Sequence, residues 1–132
     1  MKLLAIIEAY TITGPAKNLI EFAAQGRREG VETIIGTFTR GDAANLFIAT
    51  ARKAGIAVET MEESSAADLS TRAKLRELAA RVRPEVIQTH AVKSHFLARS
   101  AGLHKIAPWV AFHHGYTWPA WRTRGARPAL SK

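Results

Sequence analysis

The chain contains no cysteine. That absence excludes disulfides, thiolate zinc sites, iron–sulfur clusters and thiol nucleophiles, and it suits a reducing compartment. No apolar run approaches the roughly 20 residues of a membrane-spanning helix. Leu3 to Ile7 starts like the core of a secretory leader, but Glu8 breaks it after five residues, short of the roughly 7–15 that such a core needs. The expectation is a soluble, cytoplasmic protein. There is no G-x-G-x-x-G, no Gly-Lys-Ser/Thr loop and no His-Glu-x-x-His, which disfavours dinucleotide, Walker-type and zincin chemistry. Acidic residues are missing altogether after Glu85. No carboxylate is therefore left there to complete a histidine-based metal set, and no metal is expected.

What is present is enough for one folded domain. The 132 residues are 47% apolar and 23% charged, ordinary values for a globular chain of single-domain length. The net charge of +8 is unevenly placed. Residues 1–66 carry 7 basic and 8 acidic side chains, whereas residues 67–132 carry 12 and 3. Lys93, Arg99, Lys105, Arg122, Arg124, Arg127 and Lys132 face no acidic competitor in sequence. Such asymmetry points to an anionic partner (nucleic acid, a lipid surface or a phosphorylated small molecule) or else to a solvated basic face.

Five apolar runs read as strands: Leu3–Ile7, Thr33–Gly36, Ala57–Glu59, Val86–Gln88 and Trp109–Phe112. They are short and continuous, the pattern of strands covered on both faces. Four helical segments separate them. The first runs from about Ala16 to Glu29. The second follows Asp42, read as its N-cap, and stops at Gly55. The third carries Leu75, Leu78, Ala79 and Val82 and is stopped by Pro84. The fourth, Val92 to Ser100, has Val92, Phe96 and Ser100 as its stripe. Strand centres at 5, 34, 58, 87 and 111 lie 29, 24, 29 and 24 residues apart. Strands and helices alternating at this interval predict a parallel, doubly wound, Rossmann-like sheet in a three-layer α/β/α sandwich. Residues 1–117 are assigned to this domain. Residues 118–132, with two prolines, three arginines, a lysine and no apolar period, are assigned to an irregular basic tail.

Open parallel sheets bind ligands beyond the carboxyl ends of their strands, so the chemistry is sought there. After the first run, Gly14-Pro15 can turn into a helix whose free N–H groups, with Lys17 and Asn18, suit an anionic or hydroxyl-rich ligand. His90 and Lys93 follow the fourth run, and His113 and His114 follow the fifth. All five histidines lie between residues 90 and 114, three of them at predicted strand ends. Imidazoles, lysines and backbone amides suit hydroxyls, phosphates or proton transfer. Trp109, Phe112, Tyr116, Trp118 and Trp121 mix with arginines, a combination that serves nucleic acids, sugars or a covering domain. No recognised nucleic-acid motif accompanies it.

Thr13-Gly14-Pro15-Ala16-Lys17-Asn18-Leu19, Arg83-Pro84-Glu85-Val86-Ile87-Gln88-Thr89-His90, Lys93 and His113-His114-Gly115-Tyr116-Thr117 occur in that order. Over about residues 1–121 they resemble the N-terminal, acceptor-side half of family 4 glycosyltransferases of the GT-B fold. The resemblance implies a retaining transferase that moves a sugar from a nucleotide-sugar donor to a hydroxyl acceptor. It implies no resident cofactor or metal, the nucleotide sugar being a co-substrate. Gly14, Pro15, Lys17 and Asn18 would match the loop approaching the acceptor and donor phosphate. His90 and Lys93 would match the loop after the fourth strand. His114, or His113 in a register shifted by one, would match the histidine near the reaction centre. The family's donor domain, with its glutamate pair, has no counterpart in the sequence, so the isolated chain is expected to be inactive. The implied partners are a sugar or lipid-linked acceptor, a nucleotide sugar only when a donor domain is supplied, and peripheral contact with the inner face of a membrane. Two other classes remain open. One is a stand-alone flavodoxin-like binding module, and the other is a basic nucleic-acid-binding protein that uses the aromatic–arginine tail.

Overall fold

Leu3, Leu4, Ala5 and Ile6 are all buried. A strand with no solvent-facing side chain belongs in the middle of a parallel sheet, and β1 (Lys2–Ile6) is indeed the central strand. The structure is a computed structural model that describes residues 1–41, 44–65 and 68–112. After β1 come α1 (Gly14–Arg28), β2 (Glu32–Thr39), α2 (Leu46–Lys53), β3 (Ala57–Glu62), α3 (Thr71–Val82), β4 (Val86–His90), α4 (Ala91–Ser100), a 3-10 turn at Leu103–Lys105, and β5 (Trp109–Phe112). The sheet is parallel throughout, in the order β3-β2-β1-β4-β5. Leu4 is paired with Ile34 on one side and Ile87 on the other. This is the Rossmann-like sandwich that the strand–helix alternation predicts.

Side chains alternate across the sheet and build two cores. Leu3, Ala5, Ile7, Ile35 and Val58 pack under α1 and α2 with Leu19, Ala23, Phe47 and Ala51. Leu4, Ile6, Ile34, Phe38, Met61 and Ile87 pack under α3 and α4 with Leu75, Leu78, Ala79 and Leu97. Each fully buried large side chain contributes about 1.5–3 kcal/mol, so the two layers fix the strand ends firmly.

Four details differ from the sequence reading. β2 runs on past Gly36, the end of the apolar run, to Thr39. A Cβ at position 36 would lie 2.9 Å from Leu78 Cδ2 and 3.0 Å from Ile6 Cδ1, so glycine here admits the α3 layer. β3 continues to Glu62, paired residue by residue with β2 up to Thr39. α2 begins at Leu46, not after Asp42, which lies outside the described residues. Asn45 is the N-cap, its Oδ1 accepting from Ile48 N at 2.8 Å and its Nδ2 donating to Ala9 O at 2.9 Å. Finally, α4 is rotated from the expected phase. Ser94, Leu97 and Ala98 face the sheet, while Val92 and Phe96 are 76% and 58% exposed. The small Ser94 and Ala98 let the helix approach the sheet closely, which Phe96 on that face would prevent.

The two edge strands also depart from burial on both faces. β3 alternates buried and exposed positions along most of its length, and β5 leaves Val110 and Ala111 exposed. Each has a hydrogen-bonded neighbour on one side only.

Candidate functional site at the carboxyl edge of the sheet

The connections through α1 and α2 cover one face, and those through α3 and α4 cover the other. The chain therefore changes direction between β1 and β4, and the crevice beyond that switch point is where open α/β sheets take ligands. Several sequence-predicted residues converge there. Thr13 caps α1, its Oγ1 accepting from Ala16 N at 3.4 Å, and Pro15 sits in the first turn. Gly14, Lys17 and Asn18 are exposed around this helix start. His90 ends β4 and is 4% exposed. Its ring stacks on Phe112 with centroids 5.0 Å apart, and its Nε2 lies 3.3 Å from Gln88 Oε1. Pro15, Asn18 and Phe22 of α1 face Gln88, His90 and Phe112 across a recess of 150 Å³. His113, His114 and the 118–132 tail lie outside the described residues.

The turn from β4 into α4 is unusual. Ala91 has φ +73°, a left-handed conformation that costs an L-residue about 1–2 kcal/mol. It reverses the chain within one residue and sends α4 back along the sheet. Two residues on, Lys93 meets charged groups that are not among the sequence-predicted site residues. Lys93 Nζ donates to Glu8 Oε2 at 2.6 Å and to both Glu63 oxygens at 2.7 Å. It also lies 4.5 Å from the centre of the Phe38 ring. Arg40 Nε donates to Glu63 Oε2 at 3.0 Å, and Arg40 Nη2 stands 3.7 Å from Glu8 Oε2.

Glu8, Arg40 and Glu63 are the first charged residues after β1, β2 and β3. The four side chains form a neutral quartet, with two carboxylates and two cations drawn from behind four strands. The Glu63 side chain is fully buried. Burial works against the Lys93 charge, but the hydrogen bonds it donates to Glu63 and Glu8 outweigh it and raise the Lys93 pKa above its ordinary value. Arg40 is raised as well, chiefly by its hydrogen bond to Glu63. Lys93 is thus a firmly protonated, compensated cation.

A second polar chain lies deeper. Trp109 Nε1 donates to Thr89 Oγ1 at 2.7 Å, and Thr89 Oγ1 is 2.7 Å from His95 Nδ1. It ties β5 and α4 to buried Thr89 on β4. A 370 Å³ hollow at the opposite, amino edge is bordered by Arg27, whose guanidinium is occupied by the Ala54 and Gly55 carbonyls at the end of α2. No helix among the described residues is long and apolar enough to cross a membrane.

No known family profile matches the chain, and no curated protein matches it in sequence. Solved structures do match. A glycosyltransferase from Rickettsia africae superposes with a TM-score of 0.70 over 88% of this chain, at 17% identity. HepE of Anabaena, solved with UDP, gives 0.65 over 84% at 20% identity. MurG of Acinetobacter baumannii gives 0.62 over 96% at 10% identity. The chain spans 30%, 29% and 40% of their respective lengths. At these identities the likeness establishes architecture. This chain has a Rossmann-like fold, similar to one portion of each of these glycosyltransferase structures.

Proposed function

We propose that the chain is the N-terminal, acceptor-side domain of a family 4-type, retaining glycosyltransferase. In this reading a sugar passes from a nucleotide-sugar donor to a hydroxyl acceptor. The observation that supports it is the position of the predicted residues on the matched fold. Gly14, Pro15, Lys17, Asn18 and His90 gather at the β1/β4 switch point. The Gly14 N–H at the start of α1 and the Asn18 amide would orient acceptor hydroxyls, while the His90–Phe112 stack would offer a flat wall to a sugar ring. His114, or His113, would complete the acceptor side near the reaction centre. No resident cofactor or metal is invoked, and the nucleotide sugar is a co-substrate held mainly by a partner domain. The chain spans about a third of the length of its structural neighbours, so we propose that it transfers no sugar alone. The excess of basic residues after Glu85 favours work on lipid-linked acceptors at the cytoplasmic face of a membrane, in carbohydrate biosynthesis.

Two measurements test this reading. Backbone-amide NMR with a panel of alkyl glycosides should give saturable shifts at residues 14, 16–18 and 90. Absence of saturable shifts there for every glycoside refutes the acceptor role. A radiolabelled nucleotide-sugar assay on the purified 132-residue chain should show no transfer, and turnover overturns the proposed dependence on a partner domain.

A further inference from the structure

The two carboxylates of the quartet are not equivalent. Glu63 is fully buried and holds both cations, Lys93 through both oxygens and Arg40 through Oε2. No water reaches it, so its charge cannot leave the cations without a large desolvation penalty. Glu8 is 26% exposed and uses a single oxygen, 2.6 Å from Lys93 Nζ and 3.7 Å from Arg40 Nη2. Arg40 is itself 41% exposed. An oxygen between a lysine ammonium and an arginine guanidinium, at the carboxyl edge of the sheet, occupies the place a phosphoryl oxygen takes in anion recognition.

We propose that Glu8 is a built-in counter-ion of an anion site. A phosphoryl oxygen displaces the Glu8 carboxylate from Lys93 and Arg40, while Glu63 stays and keeps both cations in position. The swap is ionic, with no bond made or broken. Glu8 turns toward water and the ligand takes its two contacts. Being tethered, Glu8 competes at a high effective concentration, so the resting chain binds anions weakly and discriminates against those with a single weak charge. The sugar-transfer reading supplies only the source of the phosphoryl group, either a nucleoside diphosphate or a lipid phosphate. The exchange itself stands on the quartet.

The test is calorimetric titration of inorganic pyrophosphate into the full chain, Glu8→Gln and Glu8→Gln/Lys93→Met. All three titrations share one low ionic strength, because exposed charges are screened by salt. Glu8→Gln should bind about tenfold more tightly than the native chain, equivalent to about 1.4 kcal/mol. Adding Lys93→Met should return affinity to the native level or below. Equal affinity of the native chain and Glu8→Gln overturns the proposal. So does a double variant that binds as tightly as Glu8→Gln, since the anion then sits elsewhere on a chain of net charge +8. Amide NMR of Glu8→Gln gives a readout that does not depend on the double variant folding. Shifts centred on residues 8, 40 and 93 support the site, and shifts centred on residues 99–105 overturn it. Displacement of pyrophosphate by UDP or by decyl phosphate identifies the source, and failure of both to displace it overturns the proposal. None of these failures touches the sugar-transfer reading, which the glycoside shifts decide.

Discussion

Lys93→Met removes the cation that bridges Glu8 and Glu63, and its cost can be worked from the contacts. Removing one partner of a buried ion pair costs about 3–5 kcal/mol, because the other charge is left uncompensated. Two features lower that figure here. Arg40 remains on Glu63 Oε2 at 3.0 Å, and the partly exposed Glu8 can turn to water, so its share is that of a surface pair, about 0–1 kcal/mol. The contact of Lys93 with the Phe38 ring, at 4.5 Å, adds roughly 0.5–1 kcal/mol to the loss. Methionine refills most of the space of the aliphatic stem. The net expectation is a loss of about 2–4 kcal/mol. That is a large fraction of the roughly 5–15 kcal/mol that holds a domain together.

Urea unfolding should show the loss as a lower midpoint with an unchanged slope, and the melting temperature should fall by roughly 8–15 °C. The pH dependence gives an independent check. The Lys93 pKa is raised in the folded state above its ordinary 10.5. Its contribution is therefore fully present below about pH 10.5 and is lost as pH rises through the folded value. The difference in stability between the native chain and Lys93→Met should be constant from pH 7 to about pH 10 and shrink above it. Replacing Glu63 with methionine as well removes the orphaned carboxylate, so Glu63→Met/Lys93→Met should recover part of the loss. A Lys93→Met protein within about 0.5 kcal/mol of native, with an unchanged alkaline limb, would refute the quartet as a buried, stabilising cluster.

Other elements of the fold yield equally direct outcomes. Asn45→Ala loses both the α2 cap and the tie to Ala9 O and should cost about 1–2 kcal/mol in chemical denaturation. Phe96→Ser should change stability by less than about 0.5 kcal/mol, whereas Leu97→Ala should cost about 2–4 kcal/mol, and the reverse order would restore the expected phase of α4. The Asp68 carboxylate is held well below the usual carboxylate range, first by the Ser70 hydroxyl and then by the Ser64 and Ser70 backbone N–H groups. Its contribution is present above about pH 4 and is lost as pH falls toward the depressed folded value. Asp68→Asn should therefore flatten the acid limb of a stability-against-pH curve below pH 4 and leave the alkaline limb unchanged.

The architecture was legible because parallel sheets write themselves plainly. The buried part of the central strand β1, Leu3 to Ile6, is an unbroken apolar run, and the helices between the strands impose a regular spacing. Helix ends were readable where one residue carries the geometry, as at Gly55 with φ +83° after α2, or at Pro84 after α3. The phase of α4 was not. Phe96 and Val92 outrank Ser94 and Ala98 in hydrophobicity, yet close packing against a sheet selects small side chains, and composition alone does not reveal that distance.

The same limit explains why Arg40 and Glu63 are not legible as partners of Lys93. Strand lengths set which residues arrive at the carboxyl edge. With β2 ended at Gly36 and β3 at Glu59, Arg40 and Glu63 lay adrift in loops. Once β2 reaches Thr39 and β3 reaches Glu62, both become the first residue past a strand, level with Glu8 and Lys93. The signal was in the sequence as charges of opposite sign closing successive apolar runs, but it is readable only when the strands have their true lengths. Its consequence is physical. In sequence Lys93 lies in a half-chain of strongly positive charge with no acidic residue after Glu85, yet the fold brings it two carboxylates from the acidic half. The Glu8–Arg40–Glu63–Lys93 cluster at that edge is therefore locally neutral. An anion can gain from Lys93 and Arg40 there only by taking the place of a carboxylate that already holds them, and the exposed Glu8 is the one whose removal leaves no buried charge behind.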